Sequence, residues 1–125
     1  LSGFGIGIVL MRTTSEFWVS AYIRYRNDQG KPTVLMKRGA LEAGTIFIRL
    51  DRLDGSYDLY GPASQIAYSD THIRDGERLF SPVMQQVDVF QVMDKIEAEM
   101  KFDSDLWLIE TECVDASHDL QIAKD

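Results

Sequence analysis

Apolar and polar residues alternate from Thr45 to Leu53. Ile46, Ile48 and Leu50 fall on one side and Phe47, Arg49 and Asp51 on the other, a period of two that predicts a strand. Asp54-Gly55 follows, a pair that tolerates the positive φ a two-residue type I′ turn needs at both central positions. Ser56 to Gly61 then returns as the partner strand, and Pro62 ends it. Upstream, Thr33 to Lys37 predicts a short apolar strand, and Gly39 to Gly44 a loop that holds Glu42. Downstream, Arg78 to Val83 reads as a strand interrupted by Pro82, which suits a sheet edge because proline cannot donate to a ladder. Leu106 to Glu112 is the last predicted strand.

Two stretches carry helix signals. T-T-S-E at 13–16 matches a capping box, with the Thr13 hydroxyl and Glu16 satisfying each other's end of the first turn, and predicts a helix over 15–28. Trp18, Tyr22 and Tyr25 share a stripe there, widened by Val19, Ala21 and Ile23, while Arg24 and Arg26 lie near the end where cations suit the helix dipole. Phe17, Val19, Ala21, Ile23 and Tyr25 also alternate, so a strand is the competing reading; Gly30 and Pro32 stop either element. Asp88, with Gln91 in the reciprocal position, caps a second helix through about Lys101, in which Phe90, Met93 and Met100 are assigned to core packing. Residues 63–78 read as a long polar surface loop and 114–125 as a frayed acidic tail. Together these elements predict an α+β fold, a small antiparallel sheet of about four strands with two helices packed on one face.

The chain's 125 residues, 45% of them hydrophobic, are enough for one core, placed at 11–113. Residues 1–10, L-S-G-F-G-I-G-I-V-L, carry no charge and are read as an extension outside the fold. The apolar run is far too short to span a bilayer, and it lacks the basic flank and cleavage site of a signal peptide. Its G-x-G-x-G has no clear preceding strand and no third glycine at dinucleotide-binding spacing. One cysteine, Cys113, cannot form an internal disulfide, which points to a reducing cytoplasm and to Cys113 as an apolar filler at a strand end.

Charge is unevenly distributed. Residues 1–62 hold eight Lys or Arg against six Asp or Glu, whereas residues 63–125 hold five against fourteen, for a net of −7 overall. An acidic chain argues against nonspecific nucleic-acid binding, since phosphate affinity comes from a cationic surface. Arg24, Arg26, Lys31, Lys37, Arg38, Arg49 and Arg52 leave room for a local basic patch, and mutual neutralisation of the two halves is the simpler reading.

The hairpin permits a sharper expectation. A two-residue turn sets Asp51 opposite Asp58, Leu50 opposite Leu59 and Arg49 opposite Tyr60, and the Leu50–Leu59 match favours this over a one-residue slip that sets Leu50 against Asp58. One polar face would then carry Arg49, Asp51, Asp58 and Tyr60. Three uses compete: a solvated cluster bridged by Arg49; a hard-cation site on Asp51 and Asp58, which D-x-x-D-G-x-x-D supports poorly because it lacks calcium-loop spacing; and a pocket for a small polar or anionic ligand lined by Arg38, Glu42, Arg49 and Tyr60. The candidate ligand-binding set is therefore Arg38, Glu42, Arg49, Asp51, Asp58 and Tyr60, with no metal or cofactor expected. His72 and His118, the only histidines, are read as surface residues, and no Walker A or H-E-x-x-H sequence occurs. Trp18 and Trp107 are read as core or interface anchors.

W-V-S-A-Y-x-R (18–24), R-x-x-x-E-A-G-x-I-F-I (38–48), R-L-D-G (52–55), D-L-Y-G-P-A (58–63) and F-D-x-D-L-W-L-I-E (102–110) resemble a family of short, uncharacterised bacterial proteins, a domain of unknown function, over residues 11–112. The resemblance implies a cytoplasmic bacterial protein and carries no catalytic residues. Ser104 stands where similar sequences have the proline of an F-D-P-D turn. Without catalytic motifs, the expected function is a small noncatalytic interaction or ligand-binding module that self-associates, a homodimer covering the exposed sheet edge. The alternative is a hydrolase or nucleotide-handling enzyme with Glu42, Asp51 or Asp58 as acid/base and Arg38 or Arg49 on an anion.

Overall fold

The computed structural model describes residues 14–64 and 78–123, so the 1–10 extension and most of the 63–78 loop lie outside the described residues. The chain runs α1 (Ser15–Asp28), β1 (Thr33–Lys37), β2 (Ile46–Asp51), β3 (Tyr57–Pro62), β4 (Leu79–Val87), α2 (Val89–Phe102), β5 (Trp107–Glu112) and β6 (Gln121–Ile122). The six strands form one sheet in the order β1-β5-β2-β3-β4-β6. It is mixed: β2 pairs parallel with β5, and β4 with β6, whereas the other neighbours are antiparallel. The expectation of about four antiparallel strands is corrected on both counts.

The helices lie on opposite faces, not on one. Trp18, Val19 and Tyr22 of α1 pack with Ile46, Ile48, Tyr60, Phe80, Trp107, Ile109 and Leu120, whereas Val92 and Ile96 of α2 pack with Phe47, Leu59, Leu106 and Leu108. The reason is in the central strands, where I-F-I at 46–48 and L-W-L-I at 106–109 bury both alternating sets, as a sheet covered on two sides requires. In α2 the buried stripe is Val92 and Ile96, so Phe90 and Met93, expected in the core, are 70% and 45% exposed. Only Met100 of that group packs partly against the core.

Caps behave largely as the side chains dictate. The Asp88–Gln91 capping box of α2 is fully formed. At α1 the cap is Thr14, one residue later than expected, and its hydroxyl accepts from the Phe17 amide at 3.1 Å. Position 15–28 is helical, which disposes of the competing strand. The sheet's β4 is not at the edge where it begins, because β6 pairs with Leu79 and Phe80. Nor does the segment after β5 fray. Leu120 is buried, Tyr22 donates its hydroxyl to the His118 carbonyl at 2.7 Å, and the Ala123 amide donates to the Phe80 carbonyl at 2.8 Å.

Candidate functional site

The β2–β3 register decides where the expected site residues go. Observed partners are Asp51 with Tyr57, Leu50 with Asp58, Arg49 with Leu59 and Ile48 with Tyr60, the one-residue slip that hydrophobic matching disfavours. The turn is correspondingly longer: the Arg52 amide closes onto the Ser56 carbonyl at 3.1 Å, with Leu53 at φ 64° and Gly55 at φ 92°. Leucine rarely adopts such a φ, and here its amide is held by an Asp51 carboxylate oxygen at 2.8 Å. Asp58 thus turns inward, onto the α1 face beside Tyr60, while Arg49 and Asp51 point to the α2 face.

Asp58 tolerates full burial because it is saturated. Its carboxylate accepts from Arg52 Nε at 3.1 and 3.0 Å, from Arg52 Nη2 at 2.8 Å and from the Gln86 amide at 2.8 Å. Gln86 sits at φ 53°, where β4 is irregular opposite β3, so the backbone is bent to deliver that donor. Two opposed aspartates therefore do not exist. Their attraction for a shared cation does not arise either, since the sheet separates them.

The same face carries a polar network that the sequence did not announce. Arg26 is fully buried; its Nε donates to Thr111 Oγ1 at 3.0 Å and its Nη1 to Asp119 Oδ2 at 2.9 Å. Thr111 in turn bonds Thr33 Oγ1 at 2.7 Å. Arg26 Nη2 is buried without a hydrogen-bond acceptor among the described residues. His118 is half-buried against the Tyr60 ring, 4.9 Å between centroids, and its Nδ1 accepts from the Leu120 amide at 2.9 Å. Burial, and then the nearby Arg26, hold its pKa below the usual histidine range. Burial and Asp58 push the Tyr60 hydroxyl up. A sequence signal existed for Arg26, which falls on the Trp18–Val19–Tyr22 face of α1, but its charge at a helix end favoured the dipole reading.

On the α2 face, Arg49 pairs with Glu110, donating from Nε at 2.7 Å, and lies over the Tyr57 ring at 5.6 Å. Asp51, Glu110 and Glu112 bring carboxylates within 4.8 Å of one another there. Arg38 pairs with Glu16 at 2.8 Å in an exposed contact above the Trp107 ring. Glu42 is exposed in the adjoining loop, and its carbonyl takes the Ser15 amide at 3.0 Å. The six expected residues thus divide into three places: Arg38 and Glu42 beside the start of α1, Arg49 and Asp51 on the α2 face, Asp58 and Tyr60 inside the α1 face. Cys113 is buried at the end of β5 as expected, its thiol donating to Asp115 at 2.8 Å.

The remaining feature is the edge strand β1, which has no strand partner on its outer side among the described residues. Val34, Leu35 and Met36 are 54%, 38% and 49% exposed, three consecutive apolar residues on an outer strand. Lys37 turns its ammonium group to the carbonyls of Ser104 at 2.7 Å and Leu106 at 2.9 Å. The edge is therefore apolar and carries no outward charge of its own.

Fold and sites define a small α+β domain whose six-stranded mixed sheet lies between two helices and whose polar groups are mostly paired internally. The chain belongs to the family described as Protein of unknown function (DUF1491), which it matches over residues 13–121. It is similar to the solution structure of protein Atu0922 from A. tumefaciens, with 37% identity and a TM-score of 0.77 over 92% of this chain and 98% of that one. A crystal structure of a DUF1491 family protein from Caulobacter crescentus has the same fold at 22% identity, with a TM-score of 0.72 over 91% of this chain and 100% of that one. Among curated proteins no similar sequence was found. The family description assigns no activity, and among the described residues no helix is long and apolar enough to cross a membrane.

Proposed function

We propose that the protein is a noncatalytic interaction module of the cytoplasm that self-associates along β1. What supports the reading is the run Val34-Leu35-Met36, exposed on an edge strand that ordinary soluble domains blunt with outward charge. In an antiparallel strand, successive residues turn their N–H and C=O alternately to the two neighbours. Pro32 gives its carbonyl to the Glu112 amide of β5 at 2.9 Å and Val34 lies opposite Glu110, so Leu35 turns its amide and carbonyl outward. Two copies related by a two-fold axis at Leu35 exchange two backbone hydrogen bonds there, and Val34 meets the partner's Met36. Size-exclusion chromatography with light scattering tests the reading: wild type is a concentration-dependent dimer and Leu35→Lys is a monomer. A wild type that stays monomeric at high concentration overturns it.

A second, ligand-binding reading has one observation in its favour, the buried Nη2 of Arg26. Arg26 is paired with Asp119, which the partly exposed Lys31 also approaches at 4.0 Å, and Arg52 with Asp58, so what is left unmet inside is one N–H donor. The group suits a neutral oxygen acceptor, a carbonyl or hydroxyl, rather than the anion expected from Arg38 or Arg49. Protein-observed NMR with neutral amides and polyols checks this, and shifts at Thr111 and Asp119 that vanish in Arg26→Met support it, whereas no shifts refute it.

A further inference from the structure

The β1 edge carries a fitting that a plain interaction strand would lack. Asn27, exposed one residue before the end of α1, donates its Nδ2 to the Thr33 carbonyl at 3.0 Å and accepts the Thr33 amide on Oδ1 at 3.0 Å. A carboxamide offers one donor and one acceptor side by side, the same pair that a neighbouring strand presents in a hydrogen-bonded ladder position. Asn27 therefore stands in for one residue of a missing strand. Thr33 is two residues from Leu35, so its backbone groups are the other outward pair at the start of β1. At the far end the ladder is interrupted as well, because the register shifts between Leu35 and Lys37.

We infer that Asn27 is a register key: it occupies the Thr33 position of the edge and, together with the irregularity at Met36, leaves Leu35 as the one place among the described residues of β1 where a second copy of this chain can pair. The inference rests on the self-association proposed above and adds what limits it. An edge with several open positions pairs in several registers and grows without limit, whereas one open position on a two-fold axis gives a single register and a closed dimer. The loss of affinity from a short ladder is the consequence of that restriction. Asn27 makes no other side-chain hydrogen bond among the described residues, and alanine is a better helix former, so Asn27→Ala leaves the fold intact.

The test has two readouts on Asn27→Ala. Amide exchange at Thr33, measured on dilute protein, accelerates at least tenfold while exchange at Ile48 and Ile109 in the core is unchanged. In parallel, sedimentation equilibrium shows self-association at least tenfold tighter than wild type, with species larger than a dimer at high concentration. Asn27→Asp keeps the acceptor and loses the donor, and falls between the two. Unchanged Thr33 exchange overturns the capping role. Faster exchange with no gain in association, whatever the wild type does, overturns the role in pairing. If wild type is monomeric and only Asn27→Ala associates, the key stands and the wild-type self-association reading fails.

Discussion

Replacing Asp58 separates the two possible hairpin registers by stability alone. In the observed register its carboxylate is fully buried and takes Arg52 Nη2 at 2.8 Å and the Gln86 amide at 2.8 Å. Removing one member of a buried, hydrogen-bonded ion pair costs about 3–5 kcal/mol. Arg52 keeps 20% of its side chain in water and can turn outward, which places Asp58→Ala near the lower end, about 3 kcal/mol. Asp58→Asn retains an acceptor for Gln86 and loses only the charge assistance, a cost of about 1–2 kcal/mol. Had Asp58 faced Asp51 across a solvated ladder, as hydrophobic matching alone suggests, either change would relieve repulsion and be neutral or stabilising. Urea titration at pH 7 measures the midpoint with the slope as a control. An Asp58→Ala variant within about 0.5 kcal/mol of wild type would refute the burial argument.

Other consequences are local. His118 has its folded pKa depressed by burial and by Arg26, so the unfolded chain takes up the proton first on acidification. The stability it contributes is present above the unfolded value, about 6.5, and is lost as pH falls through that window towards the lower folded value. Wild type should therefore lose stability between pH 7 and 5 more steeply than His118→Asn, and parallel pH profiles would contradict this. Gly39→Ala puts a Cβ 2.6 Å from Trp107 Cδ1 and 2.7 Å from the Leu106 carbonyl carbon, an overlap worth about 1–3 kcal/mol of destabilisation in thermal or urea unfolding. Leu53→Asn keeps the left-handed turn residue at φ 64° with a side chain that favours it, and Leu53 is 54% exposed, so unfolding should show a gain of about 0.5–1 kcal/mol.

What could be read along the chain was what neighbouring residues decide among themselves. The Asp88–Gln91 box, the strand at Thr33–Lys37 and the alternation in Ile46–Asp51 all depend on side chains a few positions apart, and all appear where expected. The register failed because it hinges on distant groups: the Gln86 amide comes from 28 residues further on, and it makes a charged residue acceptable at an inward position. Parallel pairing of β2 with β5 sets Ile46 beside Trp107, a closure no local pattern encodes. A two-sided sheet was nonetheless signalled by I-F-I and L-W-L-I, runs too continuous for strands with one wet face. The polar residues of 114–125 read as a solvated, frayed tail because nothing local marks which of them find partners. Asp119 and Lys31 with Ser117 instead tie it to the end of α1. Of the site, Tyr60 and Asp58 share a face, but it is the buried α1 face and not a polar one shared with Arg49 and Asp51, and Arg26 is hidden because a cation in a last helical turn has a cheaper explanation than burial.

The account turns on whether Leu35 of one copy meets Leu35 of another, and a cysteine at that position asks the question directly. Residues facing each other as a hydrogen-bonded antiparallel pair have Cα atoms about 5.5 Å apart, inside the range a disulfide spans. In a Cys113→Ser background, Leu35→Cys should oxidise to a covalent dimer at least tenfold faster than Ser20→Cys, an exposed position on α1 that belongs to no strand. Equal rates at the two positions would contradict pairing along β1.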